Sequence, residues 1–308
     1  NPFFPENAVE FFISYDDYFQ PEMYLPSSGR FIEKDSAIND HLERLRLSTT
    51  KSLIERPDTI VVASVSSIYG LGSPADYRAL QVELAPGMQI DREPFEKRLE
   101  ALQYDRTGGN LKRGAYRFNG DVIDIFPADS EFKAIQLTLK NGTIAALRWI
   151  DAASGQVLED VDRYFVSPKT LFAPSRVQTD VAADQIMAEL DARVAELTAE
   201  NRLEEAGRLY ERITHDVEML RSAGYCSGME NYASYFSGRD PSLPPTTLLD
   251  YLPKDGLLFI DESHVMVPQI SAMFRGDQAR KDTLIDYGFR LPSSKHNHPL
   301  SFAEFEKI

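Results

Sequence analysis

Two apolar runs without alternation constrain this chain most. Thr59-Ile60-Val61-Val62-Ala63-Ser64-Val65 is short and rich in β-branched residues. A strand with one wet face alternates apolar and polar residues, so an unalternated run predicts a strand buried on both faces, as in a parallel sheet. Gly256-Leu257-Leu258-Phe259-Ile260 has the same character and runs straight into the polar tetrad Asp261-Glu262-Ser263-His264. The expectation is an α/β fold with a parallel-sheet domain, interrupted by inserted regions of different pattern.

Those regions lie between the two runs. Residues 82–168 carry short alternating strands such as Tyr116-Arg117-Phe118, Val122-Ile123-Asp124-Ile125-Phe126 and Ile135-Gln136-Leu137-Thr138-Leu139, punctuated by glycine turns. An inserted β-rich domain follows from this, with one helix near Pro94 to Leu102. Thr179 to Ala223 is helical in pattern, with Thr179 or Asp180 as N-cap. Ile186, Leu190, Val194 and Leu197 form one stripe; Leu203, Ala206, Leu209, Ile213, Val217 and Leu220 form another. The polar break Glu200-Asn201-Arg202 predicts two antiparallel helices, and such stripes ordinarily face a core. Ser36 to Arg56 reads as a helix stopping before Pro57. Ile13 to Phe31 combines prolines, a glycine turn and aromatics, which predicts a hairpin or long loop. The expected division is 1–79, with the hairpin at about 14–35, then 80–168, then 169–308.

With 308 residues, two or three domains are expected. No apolar run approaches the ~20 residues of a membrane-spanning helix, so no membrane partner is expected. Cys226 is the one cysteine, which excludes an intramolecular disulfide framework and fits a reducing, cytoplasmic setting. The chain begins without Met and stops at Glu306-Lys307-Ile308 within what reads as an element, so both ends look cut. Asp and Glu number 48 against 33 Lys and Arg, a net charge of −15. Such a balance opposes general binding to a polyanion, so any contact with DNA has to come from local features.

Three local features carry chemistry. An apolar strand delivering Asp261 to a sheet edge would place it to organise Mg²⁺, directly or through water, as in P-loop ATPases. Glu262 would then be the water-activating base, and His264 would couple the nucleotide site to neighbouring motifs. The partner of that motif is missing: no G-x-x-x-x-G-K-[ST] string occurs, and Gly70-Leu71-Gly72-Ser73-Pro74 has no following lysine. Second, Tyr15, Tyr18, Phe19, Tyr24 and Phe31 cluster beside Arg30 and Lys34. Exposed aromatics stack on unpaired bases at about 1–3 kcal/mol each, although packing in a core is the simpler role. Third, Arg106 and Lys112-Arg113-Gly114-Ala115-Tyr116-Arg117 form a basic cluster, either a solvated strand face or a protein-docking surface.

Several strings together resemble the UvrB family, the damage-verifying component of the bacterial UvrABC excision-repair system. They include Phe4-Pro5-Glu6-Asn7-Ala8-Val9-Glu10, Tyr18-Phe19-Gln20-Pro21-Glu22, Ala63-Ser64-Val65-Ser66-Ser67-Ile68-Tyr69-Gly70-Leu71-Gly72, Tyr225-Cys226-Ser227-Gly228-Met229-Glu230-Asn231-Tyr232 and Gly288-Phe289-Arg290-Leu291-Pro292-Ser293. They run through almost the whole chain.

The resemblance implies part of a superfamily 2-like P-loop helicase fold with an inserted β-hairpin and helical region and an inserted α+β domain. It implies ATP and Mg²⁺ as cofactors of the full protein, and DNA, UvrA and UvrC as partners. Tyr15, Tyr18, Phe19, Tyr24 and Phe31 fall on the hairpin's DNA-contacting positions, with Lys34 at its base. Asp261, Glu262 and His264 fall on the Walker B motif, and Arg106 and Arg117 on the surface facing UvrA. Two positions depart from the pattern: Asp16 stands where a tyrosine is expected, and Asn119 where a third arginine is. The phosphate-binding loop would lie before Asn1 and a second motor domain beyond Ile308. The chain by itself is therefore expected to be inactive as an ATPase. Two other readings remain open: a UvrA-docking module without ATP hydrolysis, as in the transcription-repair coupling factor, and a general superfamily 2 helicase.

Overall fold

The computed structural model describes residues 3–14, 21–33, 40–171, 174 and 176–308. In chain order these form β1 (Ala8–Phe12), β2 (Met23–Leu25), β3 (Arg30–Ile32), α1 (Asp40–Glu55), β4 (Thr59–Ala63), α2 (Pro74–Leu80), β5 (Val82–Leu84), α3 (Arg92–Ala101), β6 (Asp105–Arg106) and β7 (Ala115–Asn119). There follow β8 (Val122–Phe126), β9 (Lys133–Lys140), β10 (Thr143–Asp151), β11 (Val157–Asp160), β12 (Tyr164–Val166), α4 (Arg176–Ala199), α5 (Leu203–Ala223), α6 (Ala233–Phe236), α7 (Ser263–Asp286) and α8 (Phe302–Phe305). The chain is thus mixed α/β. Two compact units emerge: Asn1–Phe12, Asp40–Val62 and Pro74–Ala173 in one, Ile13–Asn39, Ala63–Ser73 and Pro174–Ile308 in the other.

The first unit is built on a six-stranded sheet in the order β11-β10-β9-β8-β7-β6. It is antiparallel except where β6 lies parallel to β7. The β9–β10 turn shows why: Asn141 and Gly142 both have positive φ, at 52° and 77°, the conformation that a tight hairpin turn requires and Asn-Gly supplies. Alternation then sorts the side chains. Tyr116, Ile123, Ile125, Ile135, Leu137 and Leu147 pack against Phe95 and Leu99, four residues apart on α3. β5 and β12 pair antiparallel, so the region between them leaves the fold beside where it enters. α1 adds a buried lysine: Lys51 Nζ donates to Tyr164 Oη at 2.7 Å and to Asp129 Oδ2 at 3.2 Å.

The Thr59–Val65 run differs from its expectation. β4 forms, but in a two-stranded sheet with β1, and Val62 and Ala63 are exposed. Composition records which surroundings a strand suits; only neighbouring elements decide whether both faces are covered. Among the described residues β4 pairs with β1 alone.

The second unit centres on the helical hairpin α4–α5. The three-residue break falls at Glu200-Asn201-Arg202, and Arg221 near the end of α5 pairs with Asp184 near the start of α4. Ala182, Ala183, Ile186, Leu190 and Leu197 meet Ala206, Leu209, Ile213, Val217 and Leu220, joined by Cys226, Met229, Tyr232 and Leu291. Leu203, counted in the stripe, is exposed. The capping expectation also fails, because α4 already starts at Arg176 and Thr179 is buried within it. A cap contributes about 1 kcal/mol, less than extending a buried helix face by a turn. A second small core joins Ile68, Leu249, Ile270 and Leu300. Among the described residues no helix is long and apolar enough to cross a membrane.

Candidate functional site

The aromatic segment forms a short hairpin. β2 and β3 pair in the register Met23–Ile32, Tyr24–Phe31, Leu25–Arg30, closed over Pro26-Ser27-Ser28-Gly29 by the Ser28 amide donating to Leu25 O. Tyr24 and Phe31, expected to contact DNA, are half-buried against protein rings. Phe31 stacks on Phe289 with centroids 4.3 Å apart and planes 6° apart. Tyr24 lies 4.9 Å from Phe289 and 4.7 Å from Tyr287. The guanidinium of Arg212 sits 5.0 Å from the Phe31 ring and that of Arg208 4.6 Å from Phe289. Tyr15, Tyr18, Phe19 and Lys34 lie outside the described residues, as does Asp16.

The hairpin's foot is held by charge. Glu22 is buried, and Arg290 grips both of its carboxylate oxygens. Arg212 Nη2 lies 3.3 Å from Glu22 Oε2, and Arg280 Nη1 donates to the Glu22 carbonyl at 2.9 Å. Arg290 also reaches Asp216 Oδ2 at 3.4 Å, and the same oxygen accepts from Tyr232 Oη at 2.6 Å. Burial alone would raise the Glu22 pKa, but the Arg290 hydrogen bond and the charges of Arg290, Arg212 and Arg280 hold it below the ordinary 4.5. Gly288 makes the chain turn possible: its φ is +71°, and a Cβ there would lie 2.3 Å from Glu205 O. Phe289 and Arg290 follow directly. No role was assigned to Glu22, Phe289 or Arg290 from the sequence, and their pairing across the chain leaves no local signal.

Asp261-Glu262-Ser263-His264 opens α7, but the Leu257–Ile260 segment before it is not a strand. Leu257 and Phe259 are more than 80% exposed. Four apolar residues form a buried strand only when flanking strands satisfy their amides and carbonyls, and no such strand pairs with them among the described residues. Asp261 Oδ1 accepts from the Glu262 amide at 2.9 Å, and His264 Nδ1 lies 3.3 Å from Glu262 Oε2. Glu262 has φ 47° and ψ 44°, an uncommon backbone for a residue with a Cβ. Pro268 has no N–H for the His264 carbonyl, so the first turn of α7 is weakly braced. Among the described residues no group of three His, Cys, Asp or Glu side chains could hold a metal. With two solvated carboxylates and no phosphate-binding loop, these residues do not by themselves build a site for Mg²⁺ and ATP.

Arg106 and Arg117 sit in the six-stranded sheet. Tyr116 and Arg117 are consecutive in β7 and so point to opposite faces. Arg106 is the register partner of Tyr116, and both reach Glu96 Oε1, at 2.9 Å and 3.1 Å. Arg117 lies on the other face, where Nε donates to Asp124 Oδ2 at 2.8 Å. The two arginines therefore do not share a sheet face. Asp124 escaped the sequence reading, although an acid inside the apolar string Val122-Ile123-Asp124-Ile125-Phe126 was the available signal.

Comparison with known proteins places these features in a family. A UvrB interaction domain is matched over residues 82–172 and a UvrB third helical domain over residues 177–238. The UvrABC system protein B of Coxiella burnetii is 52% identical over 306 residues, covering 99% of this chain and 46% of that protein. The UvrABC system protein B of Legionella pneumophila is 52% identical over 305 residues, with the same coverage. The chain spans about half the length of the curated relatives it matches. With both domains matched and this identity sustained along nearly its whole length, the chain belongs to the UvrB family.

Proposed function

We propose that this chain serves a UvrB-type excision-repair component that tests DNA for damage with an aromatic hairpin, docks on UvrA and leads to the loading of UvrC. The observation that carries the DNA-handling part is the clamp on the hairpin foot. Phe289 and Arg290, just past the end of α7, hold Tyr24, Phe31 and Glu22. The opposite end of α7 begins at the Asp261-Glu262-Ser263-His264 tetrad. A helix of 24 residues is about 36 Å long at 1.5 Å per residue. Hairpin and tetrad thus sit towards the two ends of one helix, an arrangement suited to coupling them.

In this reading Tyr15, Tyr18 and Phe19, with Lys34, contact unpaired bases and phosphates, while Tyr24 and Phe31 anchor the hairpin. Arg106 and Arg117 contribute to docking UvrA from the 80–168 domain. Asp261, Glu262 and His264 are the candidate residues toward Mg²⁺ and ATP in a longer protein with a superfamily 2-like helicase fold, working in the cytoplasm. No step is assigned to them in this chain. Their solvated setting favours a second reading for the chain taken alone, that of a UvrA-docking module without ATP hydrolysis.

The test of the hairpin is binding of a fluorescent bubble-containing duplex by the 308-residue chain and by a Tyr18→Ala/Phe19→Ala variant. Loss of two stacking contacts of about 1–3 kcal/mol each should weaken binding at least tenfold. Equal affinity for both proteins would remove the hairpin from DNA handling.

A further inference from the structure

We infer that Asp124 is a positioning residue for partner docking: it fixes the Arg117 guanidinium from beneath so that its outer edge meets an acidic protein surface. The inference rests on the reading that Arg117 docks UvrA. It begins from a row of side chains. Arg117, Asp124, Gln136, Arg148 and Asp160 are successive register partners across β7, β8, β9, β10 and β11. They occupy the face opposite Tyr116, Ile125, Ile135 and Trp149.

Asp124 is 4% exposed, and a carboxylate that deep in a sheet is tolerated only when its oxygens are occupied. Each oxygen has its own donor: Arg117 Nε at 2.8 Å on Oδ2 and Gln136 Nε2 at 2.8 Å on Oδ1. Gln136 holds the carboxylate and the carboxylate holds the arginine. The bond engages Nε, the guanidinium nitrogen nearest the backbone, while Nη1 donates to Gly109 O at 3.3 Å. Contacts from below and from one side set the plane of the group, and a third of the side chain remains exposed.

A planar fork held this way loses little freedom when it meets a carboxylate, which favours directional recognition over long-range attraction. The pair is net neutral, so Arg117 contributes geometry more than charge. Arg106 differs, since it is more exposed and bonded to Glu96 on the other face.

The experiment measures affinity of the 308-residue chain for purified UvrA by titration calorimetry, with the parent, Asp124→Asn, Arg117→Ala and the double variant. With its Oδ1 kept as the acceptor for Gln136, Asn turns its Nδ2 donor toward Arg117. A positioning role predicts about a tenfold loss for Asp124→Asn and no further loss when Arg117 is already Ala. Equal losses in both backgrounds would mark Asp124 as merely structural and overturn the inference. Parent-like binding by Asp124→Asn, with loss in Arg117→Ala, would also overturn it while leaving the docking reading intact. Parent-like binding by Arg117→Ala, or no binding by the parent, would overturn both. Should Asp124→Asn lose its cooperative thermal transition, Asp124→Glu reads the same coupling, because it keeps the charge and displaces the guanidinium.

Discussion

Glu22 and Arg290 stand 268 residues apart and meet in a buried two-point ion pair, Nε to Oε1 at 2.6 Å and Nη2 to Oε2 at 2.7 Å. The bidentate geometry matches a planar fork to a carboxylate, and neither group has water to fall back on. The pair ties the foot of the hairpin to the segment after α7. Asp216, Arg212 and Tyr232 complete it from the helical hairpin and the loop beyond.

Removing one partner leaves the other charged and buried. Arg290→Ala should therefore destabilise the unit by roughly 3–5 kcal/mol. Urea denaturation followed by circular dichroism at 222 nm measures this, and a change below 1 kcal/mol would contradict the burial described.

The same pair sets a pH dependence. Glu22 is held below its ordinary 4.5 because the Arg290 bond and the surrounding arginine charges outweigh burial. A carboxyl whose folded pKa is depressed contributes stability that is present above its unfolded value and lost as pH falls through the folded one. The parent should thus lose stability on acidification below about pH 4.5. Glu22→Gln, less stable at pH 7, should lose less over that range. Parallel curves for the two proteins would show that Glu22 is not linked to folding.

Cys226 is 1% exposed, and burial pushes its thiol up to about 12. Only the thiolate reacts readily. At pH 8 the folded chain should resist an aromatic disulfide reagent and release one equivalent of thiol only in denaturant. Rapid release from the folded chain would mean that the Tyr225–Tyr232 loop opens.

The tetrad should be silent in this chain. Phosphate release from ATP by the parent should equal that of Glu262→Gln and the reagent background, because Asp261 and Glu262 are solvated and no phosphate-binding string is present. Turnover above background that Glu262→Gln abolishes would reverse this.

The sequence by itself determined what short-range periodicity governs. The α4–α5 hairpin and its break at Glu200-Asn201-Arg202 follow from stripes that repeat every three or four residues. The strands around Tyr116, Ile123 and Leu137 follow from alternation closed by Asn-Gly and glycine turns. These signals lie within a few residues of one another, so they survive in one dimension. Only tertiary structure decided that Glu22 meets Arg290, that Phe289 occupies Tyr24 and Phe31, and that Arg106 and Arg117 lie on opposite faces. It also decided that Leu257–Phe259, apolar enough for a buried strand, stays exposed. Each of these depends on a neighbour remote in the chain, or on its absence among the described residues, and burial is a property of neighbours rather than of residue type.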